Sequence, residues 1–187
     1  MQNNRFRARR QLFALVFTAT MTAMSIVLAR LLVIPIGDIM RFELGFLPLA
    51  VVGNLFGPLY SGIGYLAADL LGQLVLPSGA AGINLLISFC EVLTGVLMGF
   101  AFYRKENTLV RDVCAFGIIN VFVDFCAMST VFVFWFSYTW AAAFTARAIN
   151  AGITFPLRVI SYYFIMKALE KPLSALRNKI LQSRTNE

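Results

Sequence analysis

Arg147 and Asn150 stand three residues apart in a long apolar run, a spacing that puts both on one face of a helix. A guanidinium can clamp a carboxylate through two parallel hydrogen bonds, and an amide beside it can donate and accept. Charged and amide groups are costly within apolar segments, so they stand as functional candidates or as members of an internal polar network. Gln73, Asn84, Arg30, Arg41 and Glu43 belong to the same class, and Trp135, Tyr138 and Trp140 supply aromatic walls nearby. Together these groups suit a small, polar organic anion. Each also has a plainer reading. Arg30 and Arg41 can snorkel to an interface, Arg41 can pair with Glu43, Asn84 can cap a helix, and the tryptophans can form an interfacial belt.

Asp69, Glu91 and Asp124 also lie within apolar runs. They could form a proton or cation relay, but no paired acidic motif recurs in two halves of the chain. A polar network involving Arg158 is the simpler expectation. Other chemistry is excluded outright. The chain has no histidine, which removes HExxH metalloproteases and Ser-His-Asp hydrolases. Cys90, Cys114 and Cys126 lack CxxC spacing and read as free thiols. No GxxxxGK[ST] is present, so any uphill transport takes its energy from a partner or an ion. No metal, cofactor or catalytic residue is expected.

These side chains must be held by membrane helices. Of 187 residues, 59% are hydrophobic and 13% charged, about half the charge of a soluble domain, whose surface such a composition would leave in apolar patches. At roughly 20 residues per span there is room for about six helices. They are expected at 11–34, 43–56, 60–76, 83–103, 109–134 and 141–169, giving an all-α integral membrane protein. Pro35-Ile-Gly37, Gly57-Pro58 and Pro77-Ser-Gly79 mark breaks. The second segment, with Gly45, Pro48 and Gly53, should be kinked, tilted or partly re-entrant, and Pro156 is a further kink candidate. The apolar run after Arg10 is too long for a cleavable signal peptide.

Of the sixteen basic residues, all but Arg30, Arg41, Arg147 and Arg158 fall in the two tails, the 104–107 loop or their helix ends. That bias predicts cytoplasmic N- and C-termini, with a basic tail at 1–10, a six-helix membrane domain at 11–170 and a second basic tail at 171–187. The net charge of +7 therefore reflects membrane topology; the basic stripe of a nucleic-acid binder is absent. Ala19 and Ala23, four apart, form a small-residue groove where another helix can approach closely.

The sequence resembles the substrate-binding S components of energy-coupling factor (ECF) vitamin transporters, most closely the group that includes folate and pantothenate S components. The resemblance is carried by Ala19-x-x-x-Ala23, Arg41-Phe-Glu-Leu-Gly-Phe-Leu-Pro48, Phe56-Gly-Pro58, Gly64-Tyr-Leu-Ala-Ala-Asp-Leu-Leu-Gly72 and Pro77-Ser-Gly79. Arg147-Ala-Ile-Asn150 and Pro156-Leu-Arg158 complete it. It implies a multi-pass protein of a bacterial cell membrane that captures a water-soluble vitamin in an outward-facing pocket. Such a protein docks on a transmembrane coupling protein and two cytoplasmic ATPases, with Ala19 and Ala23 at the docking surface, and topples in the bilayer to deliver its cargo. In place of the Phe-Pro-Gly-Phe-Thr-like stretch expected of folate members stands Gly79-Ala-Ala-Gly-Ile-Asn-Leu-Leu86. This departure removes a wall for a pterin ring and favours pantothenate over folate. Gln73, Asn84, Trp135, Tyr138, Arg147 and Asn150 would then line the site, with Arg147 or Arg41 on the carboxylate. A lone ion-coupled carrier, dependent on Asp69, Glu91 or Asp124, is the alternative from another class; an intramembrane enzyme lacks the clustered acidic metal site it would need.

Overall fold

A computed structural model describes the backbone of residues 2–31, 33–36, 40–75, 84–103, 105, 108–136 and 139–175. Side chains are described for the same residues apart from 2–7, 10, 31, 33–36, 40–42, 135, 136, 142 and 146. The elements run α1 (Gln2–Leu31), β1 (Val33–Ile36), β2 (Met40–Glu43), α2 (Phe46–Phe56), α3 (Pro58–Val75), α4 (Leu85–Phe102), α5 (Leu109–Ile119), a π-helical segment (Asn120–Ala127), α6 (Met128–Phe136) and α7 (Trp140–Ala168). The fold is thus predominantly helical, and α5, the π-helical segment and α6 make one continuous rod. Among the described residues, three stretches are long and apolar enough to cross a membrane: Gln11–Arg30, Leu85–Phe102 and Leu109–Phe134.

The outer surface matches an apolar solvent. Leu12, Leu85, Phe100, Phe134 and Phe164 are exposed, and the exposed Thr20, Thr130 and Thr145 hydroxyls donate to the carbonyls of Val16, Cys126 and Ala141 at 2.7–3.0 Å. Each of these three hydroxyls therefore finds its partner one turn back in its own helix, as a surrounding without water requires.

Helix α2 occupies the centre, with every residue from Leu47 to Leu55 buried. At 11 residues it is roughly 16 Å long, about half the hydrocarbon thickness. Its short length answers the expectation raised by Gly45, Pro48 and Gly53. Gly57, at φ 95°, turns the chain into α3 in a conformation that a side chain would strain. Helices α3 and α4 then approach almost backbone to backbone. A methyl group on Gly99 would fall on the Pro58 backbone, and one on Gly95 would lie 2.9 Å from the Ser61 carbonyl oxygen. With no hydrophobic drive between helices in lipid, such close approach is how packing energy is gained. The core behind the site is a ring cluster: Phe102 and Tyr162 lie 4.5 Å apart between centroids, Phe116 and Tyr162 5.3 Å, and Phe46 and Phe116 5.9 Å.

Two features depart from the sequence expectation. Residues 33–43, expected as a helix end followed by a polar stretch, form an antiparallel hairpin pairing Val33 with Glu43 and Pro35 with Arg41. Proline is tolerated there because a two-stranded ribbon has free edges. Helix α1 begins at Gln2, so most of the segment read as a tail continues the first helix.

Candidate functional site

Two adjoining cavities open between the hairpin, α1, α3, α4, the π-helical segment and α7. The first, about 320 Å³, has Tyr65, Asp69, Glu91 and Arg30 on its lining, with Phe46, Phe116 and Phe155 as aromatic walls. The second, about 230 Å³, is lined by Arg147, Asn150, Met128 and Thr154 among others. Glu43, Glu91, Asn120, Asp124 and Arg158 line both. The joined space lies in the size range of small-molecule sites, roughly 300–1,000 Å³.

Local structure explains how each group reaches this space. The hairpin ends at Glu43, and Ser25 of α1 donates to the Gly45 carbonyl at 2.6 Å, pinning the entry of α2 beside the cavity. The π-helical segment carries Asn120 and Asp124, four residues apart, onto the lining; π-helical turns inside helices are frequent at functional sites. Arg158 donates to Asp124 at 2.8 Å, joining α7 to that segment. Asp69 accepts from Ser88 at 2.6 Å and from Gln73 at 2.7 Å, so it is held by α4 and by its own helix.

Once these bonds are assigned, the site sorts into satisfied and unsatisfied groups. Asp69 and Asp124 have their partners. Glu91 accepts no hydrogen bond among the described residues. Arg147 has no carboxylate within ion-pair distance among them, and its guanidinium lies 4.5 Å from the Phe132 ring centroid. The Asn150 side-chain oxygen and the Tyr65 hydroxyl have no partner among the described residues, and Tyr65 is only 6% exposed. The cavities therefore present the Glu91 carboxylate, the guanidinium groups of Arg147 and Arg30, neither in an ion pair among the described residues, and neutral polar groups between aromatic walls.

Arg147 and Asn150 come together on the second cavity, as their spacing predicts. Gln73 and Asn84 line neither cavity: Gln73 binds Asp69, and Asn84 caps α4 by accepting from the Leu86 amide at 3.0 Å. The side chains of Arg41 and Trp135, the whole of Tyr138 and residues 79–83 of the departing loop lie outside the described residues. Ala19 and Ala23 are exposed on α1, while Thr18, Thr22 and Ser25 face inward. Tyr65, Asn120 and Thr154 join the site without having been singled out from sequence. Tyr65 sits within the Gly64–Gly72 stretch already quoted; Asn120, an amide deep in an apolar run, carries the same signal that marked Asn150.

A family model described as the S component of the ECF-type riboflavin transporter matches residues 11–171. The folate transporter FolT of Clostridium novyi (strain NT) is 32% identical over 161 residues, which cover 84% of this chain and 90% of that protein. A crystal structure of FolT bound with folic acid superposes with a TM-score of 0.72 at 25% identity, covering 81% of this chain and 90% of that one.

Proposed function

The chain belongs to the S-component family of ECF-type vitamin transporters, multi-pass membrane proteins that act in transport rather than catalysis, and from that premise we propose that its cargo is folate. The observation that carries the reading is the pairing of an open guanidinium with an open carboxylate across two joined cavities, in a chain similar over most of its length to a folate transporter. A pterin head and a carboxylate-bearing tail are complementary to such a space. The preference for pantothenate drawn from residues 79–86 gives way to this reading, since that stretch covers one loop and the likeness to FolT covers 161 residues.

Arg147 receives a carboxylate of the glutamate tail, with Asn150 beside it. Gln73 acts by holding Asp69 and Asn84 by holding the start of α4, while Trp135, Tyr138 and Arg41 stay candidate ligand contacts on their residue types alone. Helices α1, α3, α4, the rod from α5 to α6, and α7, together with the segment made of the hairpin and the short α2, make the six passes. Both termini lie in the cytoplasm, the first helix entering through the basic segment 1–10 and the last leaving into 171–187. A coupling protein docks on the exposed Ala19 and Ala23 face, and two ATPases supply the energy.

Riboflavin is the second reading, because the matching family model carries that vitamin in its description. Titration of the purified chain with folic acid, riboflavin and pantothenate decides among them. Tight binding of folic acid that the other two fail to displace is expected; preferential binding of either competitor overturns the folate reading.

A further inference from the structure

We propose that Glu91 is the specificity-determining residue of this site, accepting two hydrogen bonds from the donor edge of the pterin ring. The proposal rests on the folate reading and adds which group tells folate from other ring-bearing vitamins. Glu91 lies within α4, in an apolar stretch where a carboxyl group is retained at a cost and so calls for a function. It lines both cavities. Four acidic groups line the first cavity. Asp69 and Asp124 are already engaged by Ser88, Gln73 and Arg158, and Glu43, at the end of the hairpin, has interactions of its own. Glu91 accepts no hydrogen bond among the described residues.

A second, independent observation points to a ligand at the same place. The Tyr65 hydroxyl is buried on the lining of the first cavity, only 6% exposed, and has no hydrogen-bond partner among the described residues. A buried hydroxyl without a partner is destabilising unless something arrives to meet it. The aromatic walls, Phe46, Phe116 and Phe155, suit the faces of a flat ring whose edge carries the polar groups.

The chemistry of that edge separates the candidates. A pterin presents an amino group on C2 beside the N3 hydrogen, two donors side by side, and the two oxygens of Glu91 match them as paired acceptors. The isoalloxazine of riboflavin presents its N3 hydrogen between two carbonyls. Against that edge one oxygen of Glu91 finds a donor and the other meets a carbonyl, an unpaired acceptor contact that works against binding. A glutamine, with one acceptor and one donor, reverses the preference.

The test is calorimetric titration of the purified full-length chain and of Glu91→Gln with folic acid, 2-desamino-2-methylfolic acid and riboflavin. Wild-type protein should bind the desamino compound roughly 10- to 100-fold more weakly than folic acid, as for loss of a charge-assisted hydrogen bond. Glu91→Gln should lose a similar factor for folic acid, change little for the desamino compound and bind riboflavin more tightly than wild type does. Equal losses for both folates in the variant, or unchanged affinity for folic acid, overturn the proposal while leaving the folate reading intact. If the variant fails to fold, equal binding of the two folates to wild type overturns the proposal unaided. Preference of the wild-type chain for riboflavin over folic acid overturns the folate reading and this proposal together, and is recognisable because it needs no variant.

Discussion

The Arg158 Nη1 atom stands 2.8 Å from the Asp124 Oδ2 atom, and this ion pair ties α7 to the π-helical segment at the wall shared by both cavities. Each side chain retains a little over a quarter of its exposure, so the pair is screened less than a surface pair and more than a fully buried one. Its position gives it two roles: it fixes the π-helical segment, and it removes one carboxylate from competition for a cationic ligand group.

Replacing Asp124 with Asn should therefore leave Arg158 facing the cavity without the carboxylate it is hydrogen-bonded to. The expected loss of stability is about 2–3 kcal/mol, below the range for deeply buried pairs because both groups retain solvent access. The thermal midpoint in detergent should fall accordingly. The double variant Asp124→Asn with Arg158→Gln should recover part of the loss, since neither charge is then stranded. A double variant less stable than Asp124→Asn by the full cost of Arg158→Gln alone would show that the two residues act independently.

The close approach of α3 and α4 makes a second prediction with an internal control. Gly99→Ala places a methyl group onto the Pro58 backbone, which has no rotamer by which to withdraw. A loss of at least 1–3 kcal/mol is expected, about the ordinary range for overpacking, with folic acid binding reduced because α4 also carries Glu91. Gly152→Ala introduces the same methyl group where nothing lies within 4 Å, so the midpoint should hold or rise, alanine being the better helix former. Equal midpoints for the two variants would contradict the close packing.

Most of the helical scaffold was legible because apolar length is a property of the chain itself. The segments expected at 83–103 and 109–134 match α4 and the rod from α5 to α6 within a few residues. Arg147 and Asn150 were legible as a pair because helical periodicity alone places them on one face. The hairpin was missed although Gly37-Asp38 between apolar pairs has a hairpin composition; the proline at 35 reads more readily as a helix stop. The π-helical segment left no such mark. Which carbonyl each amide of that segment meets is decided by tertiary packing. Likewise, Arg158 pairs with Asp124 rather than with Asp69 or Glu91 because of how α7 lies against the rod, which no spacing within one helix encodes.

The exposed face of α1 gives a third prediction. Ala19 and Ala23 point outward beside Leu15 and Val16, whereas Thr18 and Thr22 are buried. A phenylalanine at either alanine adds bulk outside the bundle, so folic acid binding by the isolated chain should be unchanged. Co-purification with a coupling protein and its ATPases should be lost, because small residues let helices approach where large ones hold them apart. Retained co-purification with transport intact would move the docking surface elsewhere.

Arg147 offers the most direct reading of the cargo's tail. Its guanidinium rests near the Phe132 ring at 4.5 Å and lacks a carboxylate partner among the described residues, so its fork of donors stays available on the second cavity. If it receives the glutamate tail of folate, Arg147→Ala should weaken folic acid binding by about 10- to 100-fold, equivalent to about 1.5–3 kcal/mol for a charged hydrogen bond. Pteroic acid, which lacks the glutamate, should bind wild type and variant with similar affinity. Arg147→Lys should recover only part of the loss, because an ammonium keeps the charge without the planar bidentate fork. A variant that weakens folic acid and pteroic acid equally would place Arg147 in the walls of the bundle and leave the tail to Arg30, the other arginine on the cavity lining without an ion pair among the described residues.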